Sequence, residues 1–212
     1  MKDIILLKQG EVVLKGLNRR FFEQKLVTNI RKRLKPMGAF HVYCVQSTVY
    51  VEPEDELADM DAAFDALSKT FGVVALSRAA ACEKDEDAIA KLAIEYLRDD
   101  MLAAESFKVE TKRSDKSFHL TSIQLSQYVG GLLAEAYPET RVDVRHPELV
   151  VHLEVRDYAA YVHAAPTQGA GGLPVGSNGR AVTLLSGGID SPVSTWMITR
   201  RGVRCIPVHF FS

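Results

Sequence analysis

No apolar run in the sequence approaches the roughly 20 residues that a membrane-spanning helix needs, which excludes a helical membrane protein. The short run Ile4–Leu7 is ended by Lys8, too early for the apolar core of a secretory signal. Cysteine is scarce. Cys44, Cys82 and Cys205 stand far apart, with no C-x-x-C pair and no metal-ligand spacing. That excludes a disulfide framework and a cysteine-based metal site, and an odd, sparse set of thiols suits a reducing compartment. Neither sign of charge dominates: the formal net charge is −1, so no global basic field advertises nucleic acid. These absences lead to the expectation of a soluble cytoplasmic protein.

The charge is unevenly distributed. Residues 1–35 hold ten Lys/Arg against three acids, whereas residues 52–65 hold seven acids and no base. A basic face for an anionic partner is compatible with this asymmetry, although a solvated helix face explains it equally well. In the same region the pattern predicts strand Ile4–Leu7, a polar turn at Gly10–Gly16 and a helix from about Asn18 to Lys35, with Phe22, Leu26, Ile30 and Leu34 inward. A hairpin follows (Phe40–Val45, Thr48–Glu52), then a helix over Leu57–Lys69 with Leu57, Met60, Phe64 and Leu67 inward, and a strand Val73–Ala79. The order βαββαβ predicts a ferredoxin-like domain over residues 1–76. Lys15, Arg19 and Arg20 flank the start of its first helix and are candidate phosphate contacts.

Residues 77–165 read as an α/β unit. One helix is expected over Asp85–Met101, with a stripe of Ile89, Leu92, Ala93, Tyr96 and Leu97. Strand Ser106–Lys112 leads into a basic turn, Arg113–Phe118. A second helix, capped by Thr121 or Ser122, presents Leu125, Val129, Leu132, Leu133 and Ala136 inward. Gly130 and Gly131 interrupt it at roughly 1 kcal/mol each relative to Ala, which points to close approach by a neighbouring element or a ligand. Strands Arg141–Val144, Leu149–Arg156 and Ala159–Ala164 complete the unit, the last two as a hairpin turning at Asp157. Residues 166–180, rich in Gly and Pro, read as a linker.

The most informative stretch is Ala181–Pro192. A short apolar strand ending at Leu185 runs into Ser186-Gly187-Gly188-Ile189-Asp190-Ser191 and then a helix. Ser191 suits the N-cap and Pro192 the first helical position, and the helix is expected to reach Arg201 with Gly202 at its C′ position. The glycines are free to take positive φ and let a ligand approach the backbone. Loop N–H groups, the helix N-terminus and the hydroxyls of Ser186 and Ser191 converge to bind an anion. No Lys follows the glycines, so this is not a Walker A loop, and the G-x-G-x-x-G spacing of dinucleotide sites is absent. Val203–Phe210 returns as a second apolar strand. One βαβ unit cannot cover both faces of a parallel sheet, so the third domain, residues 181–212, reads as incomplete, with an exposed apolar strand.

Ser186–Ser191 resembles the PP-loop of ATP pyrophosphatases. The run Phe107–Phe118, with Gly130-Gly131, Val142–Val144 and His146–Glu148, resembles the THUMP module of tRNA-modifying enzymes. Together with Gly10–Glu23 and Gly171–Gly176, these blocks resemble the tRNA 4-thiouridine synthetase (tRNA sulfurtransferase) family along essentially the whole chain. The resemblance implies α/β and α+β architecture: an N-terminal ferredoxin-like domain, a THUMP-like domain over 77–165, and the start of a parallel-sheet PP-loop domain of the adenine nucleotide hydrolase kind. It implies ATP with Mg²⁺, adenylation of a tRNA uridine at C4, and sulfur delivered by a cysteine desulfurase to give 4-thiouridine, with a link to thiamine thiazole synthesis. Leu184 and Leu185 are then expected at the adenine or ribose, and Ser186, Gly187, Gly188 and Ser191 at phosphate. Asp190 is expected at Mg²⁺ or bracing the loop, and His209 and Phe210 at the nucleotide. Lys15, Arg19, Arg20, Lys112, Arg113 and Lys116 are expected to contact tRNA at its acceptor region and 3′ end, with Phe118 in the core, and a homodimer is expected. The family's sulfur-carrying cysteines have no match in Cys44, Cys82 or Cys205, so sulfur transfer by this chain alone is not expected. Two rival readings share parts of the pattern: a PP-loop amidotransferase or ligase, which leaves the THUMP-like block without a purpose, and a non-catalytic RNA-binding module, which leaves the PP-loop without one.

Overall fold

The computed structural model describes residues 2–210, in two compact units. One comprises residues 5–76 and 167–212, the other residues 1–4 and 77–166.

Strand β1 (Lys2–Gln9) enters the first unit at Ile5, and its Ile5 and Leu7 are fully buried. Two turns of 3₁₀ helix, Glu11–Leu14 and Gly16–Asn18, stand where a polar turn is expected. Helix α1 (Arg19–Leu34) follows, burying Phe22, Leu26, Ile30 and Leu34 as the four-residue spacing predicts. Strands β2 (Phe40–Val45) and β3 (Thr48–Pro53) form an antiparallel hairpin, with Gln46 and Ser47 at positive φ in its turn. Helix α2 (Met60–Ser68) starts three residues later than expected, because the Asp59 side chain accepts from the Ala62 amide and sets the N-cap there. Leu57, expected inward, therefore lies outside the helix and is 87% exposed. Strand β4 (Val73–Cys82) closes the order β2-β3-β1-β4, that of a ferredoxin-like βαββαβ fold; from Ser77 onward it belongs to the other unit.

In that other unit the expected single helix is two, α3 (Glu86–Tyr96) and α4 (Arg98–Ala103), broken at Leu97. Leu97 stays fully buried across the break, so the apolar stripe continues although the helical backbone does not. Strand β5 (Ser106–Arg113) leads to helix α5 (Ser122–Ala136), which opens in a capping box: the Gln124 amide donates to Thr121 Oγ1 and the Thr121 amide to Gln124 Oε1. Strand β6 (Arg141–Val142) is shorter than expected, because the Asp143 carboxylate accepts from the amides of Arg145 and His146 and turns the chain away. Strands β7 (Leu149–Val155) and β8 (Ala160–His163) form the expected hairpin, Val155 pairing with Ala160. The order is β4-β8-β7-β5-β6, with β5 parallel to both β6 and β7. α3 and α5 bury their stripes against Phe107, Val151, Leu153, Val155 and Val162.

The chain then returns to the first unit. Residues 166–180 are not a free linker: β9 (Thr167–Gln168) pairs with β4, and Leu173 is buried with Val12 and Phe22. Strand β10 (Arg180–Leu184), helix α6 (Asp190–Arg200) and strand β11 (Arg204–Val208) form one βαβ unit with β10 and β11 in parallel register. Gly202, at φ 87°, ends α6 as its C′ residue, as expected. Val182, Leu184 and Ile206 on the two strands are exposed; Phe211 lies outside the described residues.

Candidate functional site

The strand–loop–helix expected around Ser186 is present, with two differences in detail. The helix begins at Asp190 with Ile189 as its N-cap, so Ser191 is inside the first turn rather than capping it. Its hydroxyl is turned back onto the loop, 3.0 Å from the Ser186 amide, which donates to it, and 3.1 Å from Ser186 Oγ. The Gly188 amide donates to Ser186 Oγ at 3.3 Å. Second, neither Gly187 nor Gly188 is at positive φ, so backbone conformation does not demand glycine there. Nor does any neighbour crowd them: a Cβ on Gly187 would meet nothing within 4 Å, and one on Gly188 only Ser186 Oγ. The loop is thus an exposed cradle, open above its two glycines, at the positive end of an eleven-residue helix.

The adjacent strand ends complete this corner. Leu185 donates its amide to the Val208 carbonyl at 2.8 Å, and His209 Nδ1 lies 2.9 Å from the Leu185 carbonyl. Leu185, Ser186, Gly187, Gly188, Ser191 and His209 are therefore neighbours. Asp190 is exposed in the first helical turn. Phe210 is 74% exposed beyond the end of β11, so it is not a core residue, and Leu184 is 65% exposed.

In the unit formed by residues 77–166, Lys112 and Lys116 are exposed on the basic turn, as a phosphate contact requires. Arg113 is committed elsewhere. Its Nη1 donates to the carbonyls of Phe118 (2.7 Å) and Leu120 (2.5 Å), which folds the turn around it. Phe118 is buried, as expected. The turn is braced at two further points. Lys84 Nζ reaches Asp115 at 2.6 Å, and Arg156 bonds Ser114 Oγ at 3.0 Å. The Lys84 ammonium and the Ser117 hydroxyl and amide hold the Asp115 carboxyl well below the usual carboxylate range. Beside the turn, an open groove of about 700 Å³ runs between β5 and α5. Its lining combines apolar Val109, Ile123, Val142 and Val144 with Lys108 and Lys112, and both glycines of α5 form part of its wall. A Cβ on Gly130 would make an ordinary 3.6 Å contact with Val109, and one on Gly131 would meet nothing, so no neighbouring element demands these glycines. The groove and Lys108 were not singled out from the sequence. The unexplained glycine pair was the signal for them.

The opposite face of the same sheet is polar and largely buried. Glu154 accepts from Arg156 (2.5 Å), and His163 stacks on His152 with ring centroids 5.0 Å apart. Burial, with the nearby His163, lowers the pKa of His152. In the ferredoxin-like fold, Lys15 lies over the Phe22 ring at 5.0 Å, and Arg19 bonds Glu23 (2.7 Å) and Ser47 (2.5 Å). Arg20 instead lines a shallow pocket with Arg31, Gln24, Thr28 and Tyr43. The three cysteines are free and half-buried; burial raises the Cys44 thiol and pushes Cys82 up to about 11. Among the described residues no cluster of His, Cys, Asp and Glu is arranged to hold a metal ion, and no helix is long and apolar enough to cross a membrane.

Comparison with known proteins agrees with this architecture. Residues 4–77 match the ThiI ferredoxin-like domain, residues 83–164 the THUMP domain, and residues 176–212 the family described as thiamine biosynthesis protein (ThiI). Two curated relatives named probable tRNA sulfurtransferase align with 100% of the chain, at 42% identity in Acetivibrio thermocellus and 43% in Alkaliphilus oremlandii. The chain covers 54% of each, so it spans about half the length of these relatives. A crystal structure of a 4-thiouridine synthetase–RNA complex with bound ATP superposes with a TM-score of 0.87 at 32% identity, over 100% of this chain and 53% of that one. PH1313 from Pyrococcus horikoshii Ot3, at 23% identity, shares the fold over 98% of this chain and 69% of its own, with a TM-score of 0.86. With the ferredoxin-like, THUMP and first ThiI modules in that order, the chain belongs to the tRNA sulfurtransferase family.

Proposed function

We propose that this chain supplies the tRNA-binding surface and the ATP-binding loop of a tRNA sulfurtransferase that makes 4-thiouridine. The observation that carries the reading is the presence in one chain of a THUMP unit with an exposed basic turn and an open Ser-Gly-Gly-Ile-Asp-Ser cradle at a helix N-terminus. ATP fits the cradle: exposed amides, two hydroxyls and open space above Gly187 suit a polyphosphate. When bound, ATP supplies the adenylyl group that converts the uracil C4 oxygen into a leaving group. Ser186, Gly187, Gly188 and Ser191 hold phosphate, and Asp190 is the carboxylate available to Mg²⁺. Leu184 and Leu185 face the nucleoside, and His209 orients the Leu185 carbonyl beside it. Lys112 and Lys116 contact the phosphates of the tRNA acceptor end, giving affinity rather than sequence readout. The sulfur donor is a cysteine desulfurase, the working assembly a homodimer and the location the cytoplasm, with the same sulfur relay serving thiamine synthesis.

The test is fluorescence anisotropy of the chain with labelled tRNA across a salt series, beside the same tRNA lacking its single-stranded 3′ end. Salt-sensitive binding that weakens without that end is the expected result. Equal affinity for both RNAs, or none at low salt, would refute the RNA half of the reading. Failure of the chain to bind ATP in equilibrium dialysis would refute the other half.

A further inference from the structure

The βαβ unit that carries the cradle buries little of itself: no residue of β10, α6 or β11 is fully buried. Something other than a core of its own must hold it, and the contacts converge on the far end of α6. The Leu173 amide donates to the Arg200 carbonyl at 2.9 Å. The amides of Gly176 and Asn178 donate to the Gly202 carbonyl at 2.8 and 3.0 Å, and the Asn178 side-chain amide to the Arg201 carbonyl at 2.6 Å. The carbonyls at and just beyond the C-terminal end of α6 are thus satisfied by residues 173–178. The fit is close from both sides. A Cβ on Gly172, at φ +72°, would lie 2.4 Å from the Arg200 carbonyl oxygen, and one on Gly202 would lie 2.4 Å from Ser177 Oγ.

The same segment is fastened to the ferredoxin-like fold. Backbone bonds join Gly169 to Val74, Ala170 to Ser68, Gly171 to Val73 and Gly72 to Gly171, at 2.7–3.0 Å, and Asn29 Nδ2 donates to the Val175 carbonyl at 3.0 Å. Leu173 is buried between Val12 and Phe22. Side chains of α6 and its C-cap add direct contacts: the C-cap Arg201 meets both carboxylate oxygens of Glu11 at 3.0–3.1 Å, and Trp196 packs edge-on to Phe71 with centroids 5.6 Å apart.

We propose that residues 169–178 are a positioning strap that fixes α6, and with it the anion-binding loop at its opposite end, on the ferredoxin-like fold, with Gly172, Leu173 and Asn178 as positioning residues. The consequence for ATP rests on the reading of the cradle given above; the docking itself does not. Trp196 is the sole tryptophan in the chain and reports on the dock directly. Gly172→Val is expected to undock the helix, red-shifting Trp196 emission and raising amide hydrogen exchange across residues 186–200, while α1 and β3 stay protected. Asn178→Ala, which leaves the backbone geometry intact, is expected to raise exchange in the same segment to a smaller extent, so the inference survives a Gly172→Val chain that fails to fold. Where the wild-type chain binds ATP, undocking is expected to weaken binding by up to about a hundredfold, the loss that a misplacement of about an ångström can cause. Unchanged emission and exchange in the two variants would overturn the strap, as would undocking with ATP affinity intact. Absence of ATP binding by the wild-type chain would instead overturn the reading of the cradle and leave the dock to be judged on exchange alone.

Discussion

Replacing Gly131 by alanine separates stability from function in α5. A glycine in a helix interior is about 1 kcal/mol less favourable than alanine, because its backbone loses more freedom on folding. That gain is normally offset when the new methyl group collides with a neighbour. At Gly131 the added Cβ would meet nothing within 4 Å, so no offset arises. The Gly131→Ala chain is therefore expected to be more stable by about 1 kcal/mol, which for a domain of this size raises the melting temperature by roughly 4–8 °C. The methyl would project beside the groove between β5 and α5, so tRNA binding is expected to weaken even as the fold tightens. Thermal unfolding followed by circular dichroism gives the first quantity and fluorescence anisotropy with tRNA the second. A variant that is stabilised and binds tRNA as tightly as the wild type would refute the reasoning, since the glycine would then serve neither packing nor a ligand. A destabilised variant would refute the geometry of the helix itself.

Lys112→Ala and Lys116→Ala are each expected to lower tRNA affinity and reduce the slope of log K against log salt by about 1, with little change in stability, measured by anisotropy at several salt concentrations. Arg113→Ala is expected to do the reverse, destabilising the unit by about 1–3 kcal/mol in urea unfolding, because two carbonyls lose a charged donor. Thr121→Ala removes a capping box and is expected to reduce stability by about 1 kcal/mol in the same assay. His152 has a folded-state pKa below its ordinary value, so the unfolded chain binds the proton more readily. Its contribution is present above about pH 6.5 and lost as pH falls through the lowered folded value. Urea midpoints are expected to drop on acidification below that point, and His152→Gln to flatten the drop; an equal drop in both proteins would exclude His152 as its source.

Periodicity carried most of the fold. The inward residues of α1 and the apolar stripe of α3 were legible because helical spacing is a local property of the sequence. Element ends were not, since they depend on a single hydrogen bond: the Asp59 carboxylate moved the start of α2 past Leu57, and the Asp143 carboxylate cut β6 short. Among the basic residues, composition could not distinguish Arg113, folded inward onto two carbonyls, from the exposed Lys112 and Lys116, because the difference is one of side-chain direction. The segment 166–180 looked like a linker for the same reason that it is a strap. Glycines that free a chain in water also allow backbone to lie directly against backbone. At the cradle the motif identified the right loop, while the inward turn of Ser191 became visible only in three dimensions.

The burial of the native thiols has a practical consequence for labelling chemistry. Burial pushes the Cys82 thiol up to about 11, so little of it is thiolate near neutral pH, and the raised Cys44 is quietened in the same direction. Reagents that attack thiolate will therefore find little to react with at either position. A cysteine introduced at an exposed site such as Lys116 would stand out against that background by its rate alone. Once Cys205 has been replaced, spin labels, crosslinkers or dyes can be set at the basic turn without removing Cys44 or Cys82, and the sulfur seen to react can be assigned to the residue that was put there.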